Sequence, residues 1–147
     1  MNVIHESDQR QQYAALPWRS GEYLEILLIS SRETRRWVIP KGWPMGKQAP
    51  HDAAAREAFE EAGVRGEIAS SPIGTYCYDK LMPDGTLLAC RVDVFPLRVK
   101  QRMKDWPEKH QRTIRWFAAG EAAAAVKETG LADLIRLFAD TGSHKKK

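Results

Sequence analysis

Three glutamates, Glu57, Glu60 and Glu61, crowd into the stretch REAFEEAG, residues 56–63. On a helix, like charges at this spacing cost roughly 0.2–0.5 kcal/mol per pair. An ordinary solvated face mixes signs and gains from Glu–Lys pairs, whereas Arg56 is the one nearby cation and it flanks the cluster. A divalent cation would convert the repulsion into binding, because hard cations take carboxylate oxygens. Magnesium in particular accepts one or two protein carboxylates and completes its shell with water and substrate phosphates. The competing reading is a solvated amphipathic helix with an acidic outer face, and the bare spacing leaves both open.

The element that must position these acids is legible around them. Pro50 suits the first turn of a helix, where its missing N–H costs nothing, and Gly63 stands where a left-handed cap is expected. The helix is therefore placed from Pro50 to about Ala62. At about 100° per residue, Ala55, Ala58, Phe59 and Ala62 share one arc. The three glutamates fall opposite, beside Ala53 and Ala54. This predicts an apolar face packed on a sheet and a carboxylate face turned away from it.

Upstream, YLEILLIS (residues 23–30) reads as a buried strand and RWVIP as a second, closed by Pro40. KGWPMGKQ, residues 41–48, reads as a Gly- and Pro-rich loop. The first dozen residues are polar and read as loose. Downstream, strands are expected at 66–69 and 73–78, with a turn at MPDGT, residues 82–86. LLACRVDVFPLRV reads as a long strand with Pro96 at an edge or bulge. A basic loop, residues 100–111, leads to the short strand TIRWF, and GEAAAAVKETG and LADLIRLFAD read as helical. Strands, helix, strands, helix predicts an α/β fold, a mixed sheet between helical layers.

The composition fits one domain over residues 1–147, with about 1–12 and 142–147 expected to be flexible. Hydrophobic residues at 43% and charged residues at 29% exclude a disordered chain. The longest apolar run, ILLI, is far too short for a membrane span, and no secretory pattern opens the chain. Cys77 and Cys90 match no metal-ligand spacing, so two reduced thiols in a cytoplasmic protein are expected. The formal charge is +4, and basic residues crowd 32–47 and 98–115, which points to an anionic partner. The tail SHKKK is assigned no role.

From Gly42 to Val64 the chain resembles the signature of the Nudix hydrolases, G-x5-E-x7-R-E-U-x-E-E-x-G-U, with U apolar. Gly42, Arg56, Glu57, Ala58, Glu60, Glu61, Gly63 and Val64 match without a gap. Gln48 departs, standing where the pattern has its first glutamate; in the family that residue mostly supports the loop and the metal shell. RWVIPKGW before the box and DWPEKHQRTIRWF after it resemble, more loosely, the diphosphoinositol polyphosphate phosphohydrolase branch and its bacterial relatives.

The resemblance implies a Nudix-type α/β/α sandwich and cleavage of a diphosphate linked to another group, with Mg²⁺ as cofactor and Mn²⁺ as a substitute. It implies Glu57 and Glu61 as the strongest metal ligands, with Glu60 beside them. One of these acids, or Glu108 from the loop before the last strand, is expected as general base. Arg56 is expected to orient a helix carboxylate. Of the basic residues Arg35, Arg36, Lys41, Lys80, Arg91, Arg112 and Arg115, two or three are expected to hold phosphate, with Lys41 and Arg112 favoured and Arg36 and Arg91 as further candidates. Trp43 is expected at the site and Trp106 in packing. The substrate implied is a polyphosphorylated small molecule, a diphosphoinositol polyphosphate or a dinucleoside polyphosphate, with no membrane partner. The rival readings are removal of pyrophosphate from the 5′ end of RNA, which is less expected, a non-catalytic nucleotide or inositol phosphate sensor, and a plain interaction domain.

Overall fold

A computed structural model describes residues 9–32 and 34–141 of the chain. Among the described residues, eight strands form one sheet and three helices cover it. The strands are β1 (Arg10–Ser20), β2 (Leu24–Ser30), β3 (Trp37–Val38), β4 (Lys41–Gly42), β5 (Val64–Ile68), β6 (Gly74–Leu81), β7 (Leu87–Arg102) and β8 (Ile114–Ala118). The helices are α1 (Pro50–Ala62), α2 (Ala119–Ala125) and α3 (Thr129–Thr141). The spine of the sheet runs β3-β2-β1-β7-β5, with β4 on β1, β6 on β7 and β8 on β2. β1 and β7 pair in parallel and the other pairs are antiparallel, so the sheet is mixed.

Strand alternation sends successive side chains to opposite faces, and each face has its own core. Ala15, Leu27, Ile29, Phe95 and Leu97 meet Ala54, Ala58 and Ala62 of α1. Leu16, Ile26, Leu28, Val92 and Val94 meet Ala122 of α2 and Leu131, Ile135 and Phe138 of α3. The result is the expected α/β/α sandwich.

Two expectations are corrected. The start of the chain is not loose from Arg10 onward: residues 10–20 form β1, the strand at the centre of the sheet. Its polar opening alternates, with Gln12 buried beside exposed Arg10, and it joins β7 in register from Arg10↔Cys90 to Trp18↔Arg98. The second correction concerns α1. Its buried residues are Ala53, Ala54, Ala58, Glu61 and Ala62, while Ala55 and Phe59 are only half-buried. At about 100° per residue the helix is turned roughly a quarter of a revolution from the expected orientation. Alanine lets α1 approach the sheet closely. Phe59 instead stays at the surface under the Arg65 guanidinium, 4.1 Å from its ring centre.

Pro96 lies inside β7, between the last β6 register pair, Gly74↔Val94, and the first of β5, Ile68↔Leu97. It occupies the seam where one partner strand hands over to the next, a place that tolerates a residue without an N–H.

Candidate active site

The quarter turn of α1 brings Glu57 and Glu61 against β4 rather than out to water. Glu61 is 7% exposed, and its Oε1 accepts a hydrogen bond from the Lys41 backbone N–H at 3.3 Å. Gly42 explains the close approach: a Cβ at this position would stand 2.3 Å from Glu57 Oε2. Any side chain at residue 42 would displace the glutamate.

The carboxyl groups of Glu57 and Glu61 are neighbours, and each acts on the titration of the other. Burial is the main force raising the pKa of both. Glu61 is pushed up to about 8 by burial and by Glu57, against the opposing pull of Arg112 and Lys41. Glu57 is raised by burial and by the charges of Glu60 and Glu108. Two acids held this way carry an unmet demand for positive charge. Glu60 stands apart, accepting a hydrogen bond from Arg56 Nε at 2.7 Å. Among the described residues no three His, Cys, Asp or Glu side chains converge as a closed metal cage.

The loop after β7 folds back over the end of α1. Gly63 caps the helix at φ 68°, and its carbonyl accepts from the Met103 N–H at 2.8 Å. A Cβ on Gly63 would lie 2.4 Å from the Trp106 ring, so the indole rests directly on the cap. The Glu108 N–H donates to the Glu60 carbonyl at 3.0 Å. These contacts carry the Glu108 carboxylate to the acidic pair, close enough to raise the pKa of Glu57.

Arg112 occupies the centre of this arrangement. Its Nε donates to Glu108 Oε1 at 2.9 Å and its Nη1 to the Ser30 carbonyl at 3.1 Å. Its Nη2 lies 3.8 Å from Glu61 Oε2, and the side chain is 9% exposed. Two of its three nitrogens are thus hydrogen-bonded within the protein, and the third faces Glu61.

The other basic candidates are dispersed. Lys41 lies at the site: its backbone reaches Glu61 while its Nζ sits 5.1 Å from the Tyr78 ring centre on the other face of the sheet. Burial pushes its pKa down, opposed by the charges of Glu61 and Glu128. Arg36 is exposed in the turn before β3, and Arg91 is exposed on β7, 3.8 Å from Asp93. Neither has a contact with the acidic pair among the described residues. Arg115 lies over the Phe117 ring. Trp43 is 40% exposed and lines a cleft beside β4. One participant was invisible in the sequence, the Ser30 carbonyl, because a backbone acceptor carries no sequence signal.

The chain matches the NUDIX domain family model over residues 9–138. It is 32% identical over 124 residues to Nudix hydrolase 12, mitochondrial, of Arabidopsis thaliana, covering 80% of this chain and 61% of that protein. It is 32% identical over 116 residues to mouse diphosphoinositol polyphosphate phosphohydrolase 3-alpha, covering 77% of this chain and 66% of that protein. The chain thus spans 61–66% of the length of three of the curated plant relatives it matches. Among solved structures it is similar to an Ap4A hydrolase of C. elegans, with a TM-score of 0.66 at 19% identity, covering 88% of this chain and 94% of that one. A NUDIX hydrolase from Nitrosomonas europaea superposes with a TM-score of 0.68 at 18% identity, covering 88% of each chain. At these identities the structures share the fold, and the family model reaches from the residue before β1 into α3. With that match and the acidic helix in its place against β4, the chain belongs to the Nudix family.

Proposed function

We propose that this protein is a Mg²⁺-dependent hydrolase of a phosphoanhydride bond in a polyphosphorylated small molecule, with Mn²⁺ able to substitute. The observation that carries the reading is the buried Glu57–Glu61 pair with its raised pKa values, set against the Lys41–Gly42 backbone. The pair fits the cation by its donor chemistry: hard oxygens, two rather than four, with the remaining positions left to water and phosphate. Glu57 and Glu61 would hold it, and Glu60 contributes through the field it shares with Arg56. Bound there, such a cation neutralises phosphoryl oxygens and acidifies a water molecule.

The residues around the pair supply the rest. Glu108 takes the proton of the attacking water. Its Oε1 is held by Arg112, which leaves Oε2 as the acceptor. Arg112 is a positioning residue: it fixes Glu108 relative to Glu61 and to the end of β2. Arg56 orients Glu60. Lys41 acts at the site through its backbone N–H, which holds Glu61, and Arg36 and Arg91 are outer contacts for a long polyanion.

The mouse relative is named for diphosphoinositol polyphosphates and the nematode structure for Ap4A, so both are the first substrates to offer this chain. Two free thiols, Cys77 exposed and Cys90 buried, fit a reducing compartment such as the cytoplasm. The test is phosphate release with Mg²⁺ from inositol pyrophosphates, dinucleoside polyphosphates, nucleoside triphosphates and triphosphorylated RNA. Release from one small-molecule class, abolished in Glu57→Gln, is expected. Release from RNA alone would transfer the reading to 5′-end processing.

A further inference from the structure

β7 carries partner strands along both of its edges. β1 pairs with residues 90–98 on one edge, while β6 and β5 follow each other along the opposite one. Among the described residues β6 pairs with β7 alone, so its second edge has no strand beside it. An open edge is a template for another strand, and folded proteins commonly shorten, bulge or charge it. β5 and β8 are five residues long, and β5 shifts register between Arg65 and Gly66. β6 runs for eight residues, Gly74–Leu81, with no proline and no register shift.

The phase of the ladder fixes what this edge offers. The Met82 N–H donates to the Thr86 carbonyl at 2.8 Å, directly beyond the pair Leu81↔Leu87. Hydrogen-bonded and non-hydrogen-bonded pairs alternate along an antiparallel ladder. Lys80, Tyr78 and Tyr76 therefore turn their backbone groups to β7, and Leu81, Asp79, Cys77 and Thr75 turn theirs outward. The side chains of these four are exposed on one face of the hairpin. Arg91, opposite Cys77, shares that face, 45% exposed and 3.8 Å from Asp93.

A second copy of β6 fits this edge about a two-fold axis, antiparallel. Outward residues must meet outward residues, so the axis passes through a residue of β6 rather than between two. The central choices are Cys77 and Tyr78, and α3 decides between them. It is seated on the inner part of the strand: a Cβ on Gly130 would stand 2.7 Å from Tyr76 Cβ, and one on Gly74 2.5 Å from Leu134 Cδ2. With the axis at Cys77, the second Tyr76 lies opposite Tyr78, roughly 7 Å along the strand from the first. Two helices about 10 Å across collide there. With the axis at Tyr78 the separation is roughly 13 Å and the helices clear each other.

The Tyr78 register also matches charge. It places the second copy's Asp79 opposite Cys77, with Arg91 next in the same row. Two strand spacings, about 9.5 Å, separate Arg91 from that carboxylate, a span an arginine covers across a small thiol. The symmetry makes the pair twice. Leu81, 52% exposed, meets Thr75, and on the other face Tyr78 meets its own copy, an aromatic cross-strand pair.

We propose that this chain forms a homodimer through β6, two copies pairing antiparallel about an axis at Tyr78 so that two sheets become one. The proposal does not depend on the hydrolase reading, since Glu57, Glu61 and Glu108 all lie outside β6.

The test is sedimentation equilibrium of the full chain over a wide range of loading concentrations. A monomer–dimer equilibrium is expected. Cys77→Pro removes an outward N–H and leaves the β6–β7 ladder intact, the one kind of strand position that accepts proline. It is expected to weaken dimerisation about thirtyfold, through one hydrogen bond lost from each copy, with the far-UV circular dichroism unchanged. Arg91→Asp is expected to weaken the dimer as well, and Asp79→Arg in the same chain to restore it, a recovery that a damaged fold would not show. The proposal is overturned if the wild type is a monomer at every concentration, if folded Cys77→Pro dimerises as the wild type does, or if the exchange of charges fails to restore what Arg91→Asp removes.

Discussion

Arg112 and Glu108 are joined by a hydrogen bond of 2.9 Å from Nε to Oε1, on a guanidinium that also serves the Ser30 carbonyl and faces Glu61. Removing this side chain strands two carboxylates and a carbonyl in a poorly solvated place. Arg112→Ala is therefore expected to lower stability by about 3 kcal/mol, in the range for breaking a buried charge pair, and to reduce kcat through a misplaced Glu108. Arg112→Lys recovers little, because an ammonium cannot reproduce the planar fork. Urea denaturation beside kcat and KM checks this. A variant of undiminished stability whose KM alone rises would return Arg112 to the role of phosphate clamp.

Glu57→Gln should abolish turnover with the fold intact. The amide keeps the shape against Gly42 and removes a carboxyl whose charged form burial disfavours, so the metal-free protein should melt no lower than wild type. Magnesium should then fail to raise its melting temperature, a readout independent of activity. Full activity in this variant would refute the assignment of Glu57.

The raised acids set a pH dependence. Glu61 titrates near its ordinary value of 4.5 in the unfolded chain and at about 8 in the folded one. Between those values the folded state holds the proton and the unfolded state does not. Metal-free stability is thus greatest below the lower value and falls as pH rises through the upper one. Glu57, also raised, adds in the same direction. Magnesium should stabilise more at about pH 8.5 than at about pH 5.5, since at the lower pH it must displace protons. Thermal melts with and without the cation at both pH values measure the difference. A stability of the metal-free protein that climbs with pH would contradict the burial of the pair.

Gly63→Ala combines a left-handed backbone with a side chain that has nowhere to go. The strain and the collision with Trp106 are expected to cost about 2 kcal/mol or more. Because Trp106 belongs to the loop that presents Glu108, the activity of the surviving folded fraction should fall as well. Trp106→Ala in the same background makes room for the methyl group and should recover part of the stability. No recovery would place the cost in the backbone alone.

The acidic helix, its proline entry and its glycine exit were legible because each is a local rule: spacing, a missing N–H, a positive φ. Its orientation was not. Ala53 and Ala54 are no less apolar than Ala55, and Phe59 pulls any apolar average toward its own side. Only the close approach permitted by alanine and by Gly42 decides which arc meets the sheet. β1 escaped for a related reason. Arg10, Gln11 and Gln12 look solvated, and Pro17 argues against a central strand. Yet Pro17 falls between the β4 register, Tyr13↔Gly42, and the β2 register, Trp18↔Ile26, so the hydrogen bond it cannot make is not required. Glu108 was readable as a carboxylate from the right loop, but the hold on it was not, since Ser30 contributes only a carbonyl.

The loop that presents Glu108 is fastened to the end of α1 by its own backbone, through Met103 and Glu108 themselves. The Glu108 carboxylate and the Glu57–Glu61 pair are consequently tied to a single stretch of main chain, so any change that loosens either backbone contact moves one acid relative to the others.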